Sequence, residues 1–169
     1  MTITLIKEDG TGLDDANCYT SLSELDDYAA LIGADLSAYS DEQKKSAIYV
    51  AANKYIDRLH EFKGGKVSES QGMKLYTDEV AFALAGKDIA TANAEAAILH
   101  LKGYLFVDAT EQNAKGDIIA ESSELGVLKE SFTYRDGSTV TTKYNTSTID
   151  ALLKPYLAYG SSGVVLRNV

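Results

Sequence analysis

The sequence predicts a mainly α-helical domain: a bundle of about four helices with a small β-element, an antiparallel hairpin, and an extended C-terminal tail. Three observations predict it: two helix-start signatures, one long segment that is apolar on two sides, and an Asp-Gly turn between two segments in which apolar and polar residues alternate. A chain of 169 residues is long enough for one sizeable core. We therefore expect a single domain over residues 1–158, followed by a tail over 159–169.

The first two helices are each predicted to begin at a capping box, in which a serine and a Glu or Gln three residues later bond each other's backbone. Ser21 with Glu24 predicts a helix that stops at Gly33, and Ser40 with Gln43 predicts a longer one. Apolar residues form one stripe along the longer helix at helical spacing: Ile48, Ala51, Ala52, Tyr55, Ile56 and Leu59.

The third helix, predicted over 91–107, carries apolar residues on two sides. Its polar edges are narrow and include Asn93 and His100. A helix with two apolar faces must pack on both, so we expect it at the centre of the domain. The polar segment 63–88 before it is predicted to be a loop with at most one short helical turn.

After residue 116 the pattern changes to strands, predicted over 118–121, 128–134 and 139–144, with a hairpin near 128–144. A two-residue loop at Asp136-Gly137 would set Phe132 opposite Thr141. A three-residue loop over 135–137 sets Phe132 opposite Val140 and keeps the apolar residues on one face, so we prefer it. A last helix is predicted from near Ser147, with a kink or early end at Pro155.

Catalytic groups are few, and we expect no enzyme, no cofactor and no metal centre. His60 and His100 are the only histidines; we expect His60 to cap a helix and His100 to be structural rather than a general base. Cys18 is the only cysteine. A lowered thiol pKa is conceivable just before a helix start, but a small buried apolar filler is the commoner role.

The net charge of −9 is concentrated at one end of the chain. Residues 1–42 hold ten acidic side chains and one basic one, Lys7, whereas the remainder holds fifteen of each sign. No basic patch of the kind that binds nucleic acid is evident. The acidic residues form either a functional surface or a solvated one, and their spacing lacks the alternation of a calcium loop. The candidates are Asp14, Asp15, Glu24, Asp26 and Asp27.

Several segments together resemble one protein family. They are 8–13 (Glu-Asp-Gly-Thr-Gly-Leu), 15–19, 21–28, 51–57, 71–76 and 152–157. These resemble tailed-phage head-to-tail connector subunits, also called neck or adaptor proteins, whose relatives are often described as DnaT-like single-stranded-DNA-binding proteins. The chain departs from that pattern at Cys18, where the family commonly has serine, and at Tyr76-Thr77-Asp78, where it tends to have Trp-Pro-Arg.

The resemblance implies a structural virion protein of the phage neck, assembled in the host cytoplasm. Such subunits bind the portal protein, neighbouring copies in a commonly dodecameric ring, and further tail or neck proteins. DNA passes through the ring without specific binding, and the acidic residues would suit that channel. No membrane association is expected, because the apolar opening of the chain is too short for a signal peptide or a span.

The C-terminal tail is the predicted interface. A Gly-Ser linker precedes four residues that suit strand addition to the portal or to a neighbouring subunit: Val164, Val165, Leu166 and Arg167. The alternative function is a single-stranded-DNA-binding replication accessory protein, for which eleven tyrosines offer stacking rings but no basic groove is apparent.

Overall fold

Four helices form most of the structure, a computed structural model that describes residues 3–106, 118–124, 129–134, 139–141 and 146–158. Helix α1 is Leu22–Leu31. Helix α2 runs from Asp41–Val50 through a π-helical segment, Ala51–Ile56, into a last turn, Asp57–Leu59. Helix α3 is Phe82–Leu101, and α4 is Ser147–Leu153, followed by the 3₁₀ turn Lys154–Tyr156. The predicted mainly helical fold class is confirmed.

Both predicted capping boxes are present. The Ser21 Oγ accepts from Glu24 N at 3.2 Å, and the Glu24 carboxylate accepts from Ser21 N at 2.8 Å. Ser40 and Gln43 exchange the equivalent bonds at 3.3 and 2.9 Å. Each pair satisfies two backbone donors that the first helical turn leaves without partners, which is why α1 and α2 begin where the sequence predicts.

Helix α3 is the central element, because it packs against α1, α2 and α4. The prediction that this helix is covered on two sides is therefore right. Most of its buried residues are small, which lets three helices approach one axis closely. They are Ala85, Gly86, Ile89, Ala92, Asn93, Ala94, Ala96, Ala97 and Ile98.

The predicted bounds of α3 are wrong at both ends. The helix begins at Phe82 rather than near 91, so residues 82–88 are helical and not part of a loop. Its N-cap is Ala81, whose side chain makes no capping bond, so the usual start signature is missing. The helix ends at Leu101 rather than 107, where Gly103 N donates to the His100 carbonyl at 3.0 Å and Tyr104 N to the Leu99 carbonyl at 2.8 Å. These two hydrogen bonds, with Gly103 in the left-handed conformation, form a Schellman motif at the end of the helix.

Three antiparallel strands lie between α3 and α4 in the sequence: β1 (Ile118–Glu124), β2 (Lys129–Tyr134) and β3 (Thr139–Thr141). Strand β1 is three residues longer than predicted. In the backbone pairing of β2 with β3, Phe132 lies opposite Val140. Residues 135–138 lie outside the described residues, so the hairpin with its three-residue loop stays a prediction.

One buried side chain joins three parts of the fold. Asn93 on α3 is fully buried, and its Oδ1 accepts from the backbone N–H of Tyr19 at 3.0 Å and of Thr20 at 3.2 Å. Its Nδ2 donates to the carbonyl of Ile48 on α2 at 3.2 Å. The segment before α1 and the middle of α2 are thereby both fixed to the central helix.

Replacing this amide should destabilise the domain strongly. In Asn93→Ala, two N–H groups and one carbonyl lose their partners in the interior, and we expect the free energy of unfolding to fall by about 2–4 kcal/mol. Urea unfolding followed by circular dichroism measures it. The matched control is Thr91→Ala on the same helix, whose hydroxyl bonds only the Lys87 carbonyl at an exposed position. Its change should stay within about 0.5 kcal/mol; an Asn93 effect no larger than this would contradict the assignment.

Candidate protein-interaction site

The loop that opens the family resemblance is wrapped around a buried carboxylate. Glu8 is 0% exposed. Its Oε1 accepts from the N–H of Gly10 at 2.9 Å and of Gly12 at 3.0 Å, and its Oε2 accepts from Leu13 N at 3.1 Å. Three charge-assisted bonds compensate for burying the carboxylate and fix the loop. The sequence pattern gave no indication of this role for Glu8.

Three other segments that carry the family resemblance, 15–19, 51–57 and 71–76, meet at Asp57, near the end of α2. Tyr19 Oη donates to Asp57 Oδ1 at 2.5 Å and accepts from Leu75 N at 3.0 Å, while Lys74 N donates to Asp57 Oδ2 at 2.8 Å. Burial raises the pKa of Asp57, and the hydrogen bonds from Tyr19 and Lys74 oppose that rise. Burial also raises the pKa of Tyr19, with the nearby Asp57 charge adding to it.

The segment 71–76 closes this network against the opening loop. Gly72 N donates to the Leu13 carbonyl at 2.9 Å. A Cβ at position 72 would lie only 2.6 Å from the Ala16 carbonyl oxygen, so the approach requires glycine. Gln71 Nε2 donates to the Tyr76 carbonyl at 3.0 Å. These segments therefore hold the domain together, and the side chains engaged in this way are not presented to a ligand.

The accessible surface beside this network contains a first groove of about 460 Å³ between α1 and α3. Small residues line it along α3: Gly86, Ala90 and Ala94. They are spaced by four residues and share one face of the helix. The rings of Phe82 and Tyr28 also line the groove, so its walls suit apolar side chains.

The first groove carries little net charge. Lys7 Nζ lies 2.5 Å from Glu24 Oε1. Burial tends to raise the pKa of Glu24, but hydrogen bonds from Lys7 and Ser21 outweigh this and lower it. Lys87 is exposed and forms no ion pair with any other residue that the structure describes. One ammonium group is therefore left to meet a ligand.

A second groove, of about 350 Å³, follows the extended segment 3–7. It is lined by apolar side chains of Ile3, Leu5 and Leu22 and by Lys45. Lys7 lines both grooves, so they are neighbours on one side of the molecule.

The predicted acidic residues do not form one cluster in the structure. Glu24 pairs with Lys7, and Asp26 pairs with Lys44 at 2.8 Å. Asp14 accepts from the Ser70 hydroxyl at 3.0 Å. Asp15 and Asp27 are exposed. The predicted interface, Val164, Val165, Leu166 and Arg167, lies outside the described residues.

The two histidines and the cysteine contact groups of the fold itself. His60 Nδ1 lies 3.1 Å from the Ile56 carbonyl oxygen near the end of α2, and His100 packs edge-on against Phe106. Cys18 is buried, and burial raises its thiol pKa to about 12, so it is not an activated nucleophile. Within the described ranges, no three His, Cys, Asp or Glu side chains are placed to share a metal ion.

Fold and site together define a mainly helical domain with a buried polar network and two adjoining surface grooves. The chain belongs to the family described as "Putative DnaT-like ssDNA binding protein", which it matches over residues 3–169. The resemblance to DnaT-like relatives is thereby confirmed, and the connector role stays a prediction. No curated protein and no solved structure matches the chain. No helix in the described part of the chain is long and apolar enough to cross a membrane.

Two glycine substitutions test how tightly the Glu8 loop is packed. Gly10 has φ +92°, and an added Cβ would lie 2.4 Å from Phe82 Cβ. Gly33 has φ +71° with nothing within 4 Å, so Gly33→Ala reports the left-handed strain alone, about 1 kcal/mol. We expect Gly10→Ala to lower the free energy of unfolding by about 1–3 kcal/mol more, because Phe82 must move. Equal losses in urea unfolding would contradict the loop packing.

The raised pKa of Asp57 predicts an unusual pH dependence. The folded state holds this proton more strongly than the unfolded chain, whose carboxyl titrates near 3.8. The contribution of Asp57 to stability is therefore full below that pKa and is lost as the pH rises through the folded pKa. We expect the unfolding free energy of the wild type, minus that of Asp57→Asn, to fall as the pH rises from about 3.5 to about 7.

The matched control for this experiment is Asp35→Asn. Hydrogen bonds from Ser37 lower the pKa of exposed Asp35 from 3.8, so its contribution is present at higher pH and lost as the pH falls. The unfolding free energy of the wild type minus that of Asp35→Asn should therefore rise with pH, whereas the same difference for Asp57→Asn should fall. Parallel pH dependences would contradict the burial of the Asp57 carboxyl.

Proposed function

We propose that this protein is a non-enzymatic assembly subunit of the phage head-to-tail connector, part of the neck of the virion. It works by binding the portal, neighbouring copies in a ring, and further tail or neck proteins. The first groove is the observation that carries the proposal. Its small apolar walls and single unpaired ammonium group suit apolar side chains of another protein chain better than a row of phosphates.

Exposed apolar side chains near the ends of the helices support protein association. Leu31 at the end of α1 is 83% exposed, and Leu84 in the first turn of α3 is 81% exposed. Burying one such side chain contributes about 1.5–3 kcal/mol. In a ring, several of these exposed apolar side chains could pack against neighbouring subunits, and few polar groups would lose water in the process.

The charge supports passage of DNA rather than its capture. The net charge is −9, and Asp15 and Asp27 are exposed, with no ion pair to any residue that the structure describes. Carboxylates on a channel wall repel phosphates and keep the duplex from binding to the wall. This part of the proposal requires those residues to face the channel of the assembled ring.

Single-stranded-DNA binding is the second candidate, and the family description favours it more directly than it favours the connector. The structure offers one feature for it. Phe82 is 40% exposed and lines the first groove together with Lys87, so a base could stack on the ring while the ammonium group meets a phosphate.

One pair of measurements separates the two functions. Negative-stain microscopy of the purified protein, with and without the portal of the same phage, should show a ring that forms on the portal. Fluorescence anisotropy with a labelled single-stranded oligonucleotide should show no salt-dependent binding. Oligonucleotide binding that weakens with salt and is lost in Phe82→Ala and Lys87→Ala, without portal docking, would reverse this assignment.

A groove-filling substitution tests which surface binds. Ala90→Trp places an indole in the first groove, and we expect portal docking to weaken at least tenfold because the partner's side chains lose their place. Ala30→Trp, at an exposed position of α1 outside the lining, is the matched control. Unchanged circular dichroism in both variants excludes unfolding. Equal docking by both would show that the first groove is not the docking surface.

A further inference from the structure

The turn between α1 and α2 carries exposed carboxylates beside an exposed apolar side chain. Leu31 ends α1, Asp41 begins α2, and Asp35 lies between them; all three are exposed. Asp26 of α1 pairs with Lys44 of α2 at 2.8 Å, which holds the two helices together next to this turn. We call Leu31, Asp35 and Asp41 the acidic pole.

The two carboxylates of the acidic pole have no cationic partner in the described part of the chain. Neither Asp35 nor Asp41 forms an ion pair with a residue that the structure describes. Lys45, one turn along α2 from Asp41, is paired with Glu42 at 3.0 Å instead. Two negative charges therefore face solvent next to an apolar side chain that is 83% exposed.

A basic surface lies towards the opposite end of α2. Lys54 and Arg58 are about one turn apart on the helix, so they share a face, and both are exposed. Neither forms an ion pair with any residue of the described ranges. Phe106 is 48% exposed, and its ring packs edge-on against that of Tyr55 of the same helix, with centroids 6.2 Å apart. We call Lys54, Arg58 and Phe106 the basic pole.

The end of α3 brings Phe106 close to Lys54. Burial, and then the nearby charge of Lys54, lower the pKa of His100, whose ring lies 6.0 Å from that of Phe106. Asp150 also approaches this side of α2, but its Oδ1 lies 3.8 Å from His60 Nε2, and it pairs with neither cation of the basic pole. The basic pole therefore presents two cations beside an aromatic ring.

The two poles cannot meet within one chain. Along α2 the backbone advances about 20 Å from Asp41 to Lys54 and about 25 Å from Asp41 to Arg58. This separation is farther than an aspartate and a lysine side chain reach together, and the charged atoms of an ion pair lie within about 4 Å of each other. Any pairing between the poles therefore joins two molecules.

We propose that the acidic pole of one copy of the chain binds the basic pole of the next. The inference rests on the proposed assembly function and names the surfaces through which copies join. The carboxylates of one pole would pair with the cations of the other, while Leu31 packs against Phe106. Because the two surfaces differ, the contact is head-to-tail, and such contacts form a ring where the rotation between copies closes. Asp27 lies one turn before Leu31, beside this interface, where it can still face the channel.

A second copy matches both poles, whereas single-stranded nucleic acid would match one. Each pole carries two exposed charges of one sign and one exposed apolar side chain, and the signs are opposite. Complementary charges orient two surfaces and speed their encounter. Two cations and one ring fall short of the basic groove with successive stacking rings that a single-strand binder presents. Nucleic acid would also leave Leu31 uncovered, and the net charge of −9 would repel its phosphates.

Zero-length crosslinking of the full-length wild type tests the contact. A carbodiimide joins a carboxylate to an amine only where the two groups touch. At high protein concentration and low salt, we expect a covalent dimer whose linked peptides join Asp35 or Asp41 to Lys54. Exposed ion pairs are screened by salt, so at least tenfold less of this dimer should form in about 1 M salt. Absence of these linked peptides, or a dimer linked only through other residues, would overturn the proposal.

Charge reversal separates this contact from general repulsion between copies. The acidic-pole variant, Asp35→Lys with Asp41→Lys, makes the net charge of −9 less negative by four, so general repulsion falls. We nevertheless expect at least tenfold weaker self-association in sedimentation velocity, because two like-charged surfaces now meet. The matched control is Glu69→Lys with Glu79→Lys, which makes the same change in charge at exposed positions outside both poles. The control should associate at least as well as the wild type.

A charge exchange completes this test. Adding Lys54→Glu and Arg58→Glu to the acidic-pole variant exchanges the signs of the two poles and returns the net charge to that of the wild type. Self-association should then be restored to within about threefold of the wild type. Circular dichroism identifies any variant that has unfolded. A folded charge-exchanged chain that fails to associate, or a control that weakens as much as the acidic-pole variant, would overturn the proposal.

Two other occupants of the basic pole are distinguished in the same experiments. A labelled single-stranded oligonucleotide whose affinity falls at least tenfold in Lys54→Glu with Arg58→Glu, but not in the acidic-pole variant, would assign the basic pole to nucleic acid. Crosslinking of Lys54 to added portal, without links between copies, would assign it to the portal. Either result would overturn the second copy as the occupant.

The two proposals fail in distinguishable ways. Portal docking without links between Asp41 and Lys54 would leave the assembly function standing and remove the pairing of the poles. Those links, together with restored association of the charge-exchanged chain but no portal docking, would leave the pairing standing and remove the connector function.

Discussion

The fold depends on the buried amide of Asn93. Its three hydrogen bonds connect the central helix to the backbone before α1 and to the middle of α2. A satisfied polar group in a low-dielectric interior specifies one arrangement, because a shifted helix would leave all three partners unpaired. Most of the other buried residues of α3 are alanines, which carry no polar group of their own. The directional bonds of the Asn93 amide therefore add specificity that these small apolar side chains do not supply.

The residues that carry the family resemblance serve this architecture. Glu8 fixes the opening loop, Tyr19 and Asp57 join that region to the end of α2, and Gly72 lets segment 71–76 approach closely. Residues that hold a fold together indicate that fold more surely than they indicate a ligand. The function must be sought on the accessible grooves.

Structural features set by neighbouring residues could be predicted from the sequence, whereas contacts between residues far apart in the chain could not. The capping boxes of Ser21 and Ser40 act within four residues, so both helix starts were found. The start of α3 was missed, because Ala81 offers no cap and a helix buried on several sides shows no clear periodicity. Glu8, Asp57 and the bonding of Asn93 were missed for a different reason. The Tyr19–Asn93 bond joins residues 74 positions apart, and no sequence pattern encodes such a pairing.

Charge at the first groove gives a quantitative way to weigh the two functions. Each phosphate contact with single-stranded DNA contributes a slope of about −0.7 to the dependence of log affinity on log salt. Lys7 is already paired with Glu24, so Lys87 alone would give a slope near that of one contact. Such binding would be weak and would fall only about fivefold for a tenfold rise in salt, less steeply than that of a dedicated single-strand binder. Apolar docking needs no cation, and the small residues along α3 supply the surface it does need. The chemistry of this groove therefore favours another protein chain as its ligand.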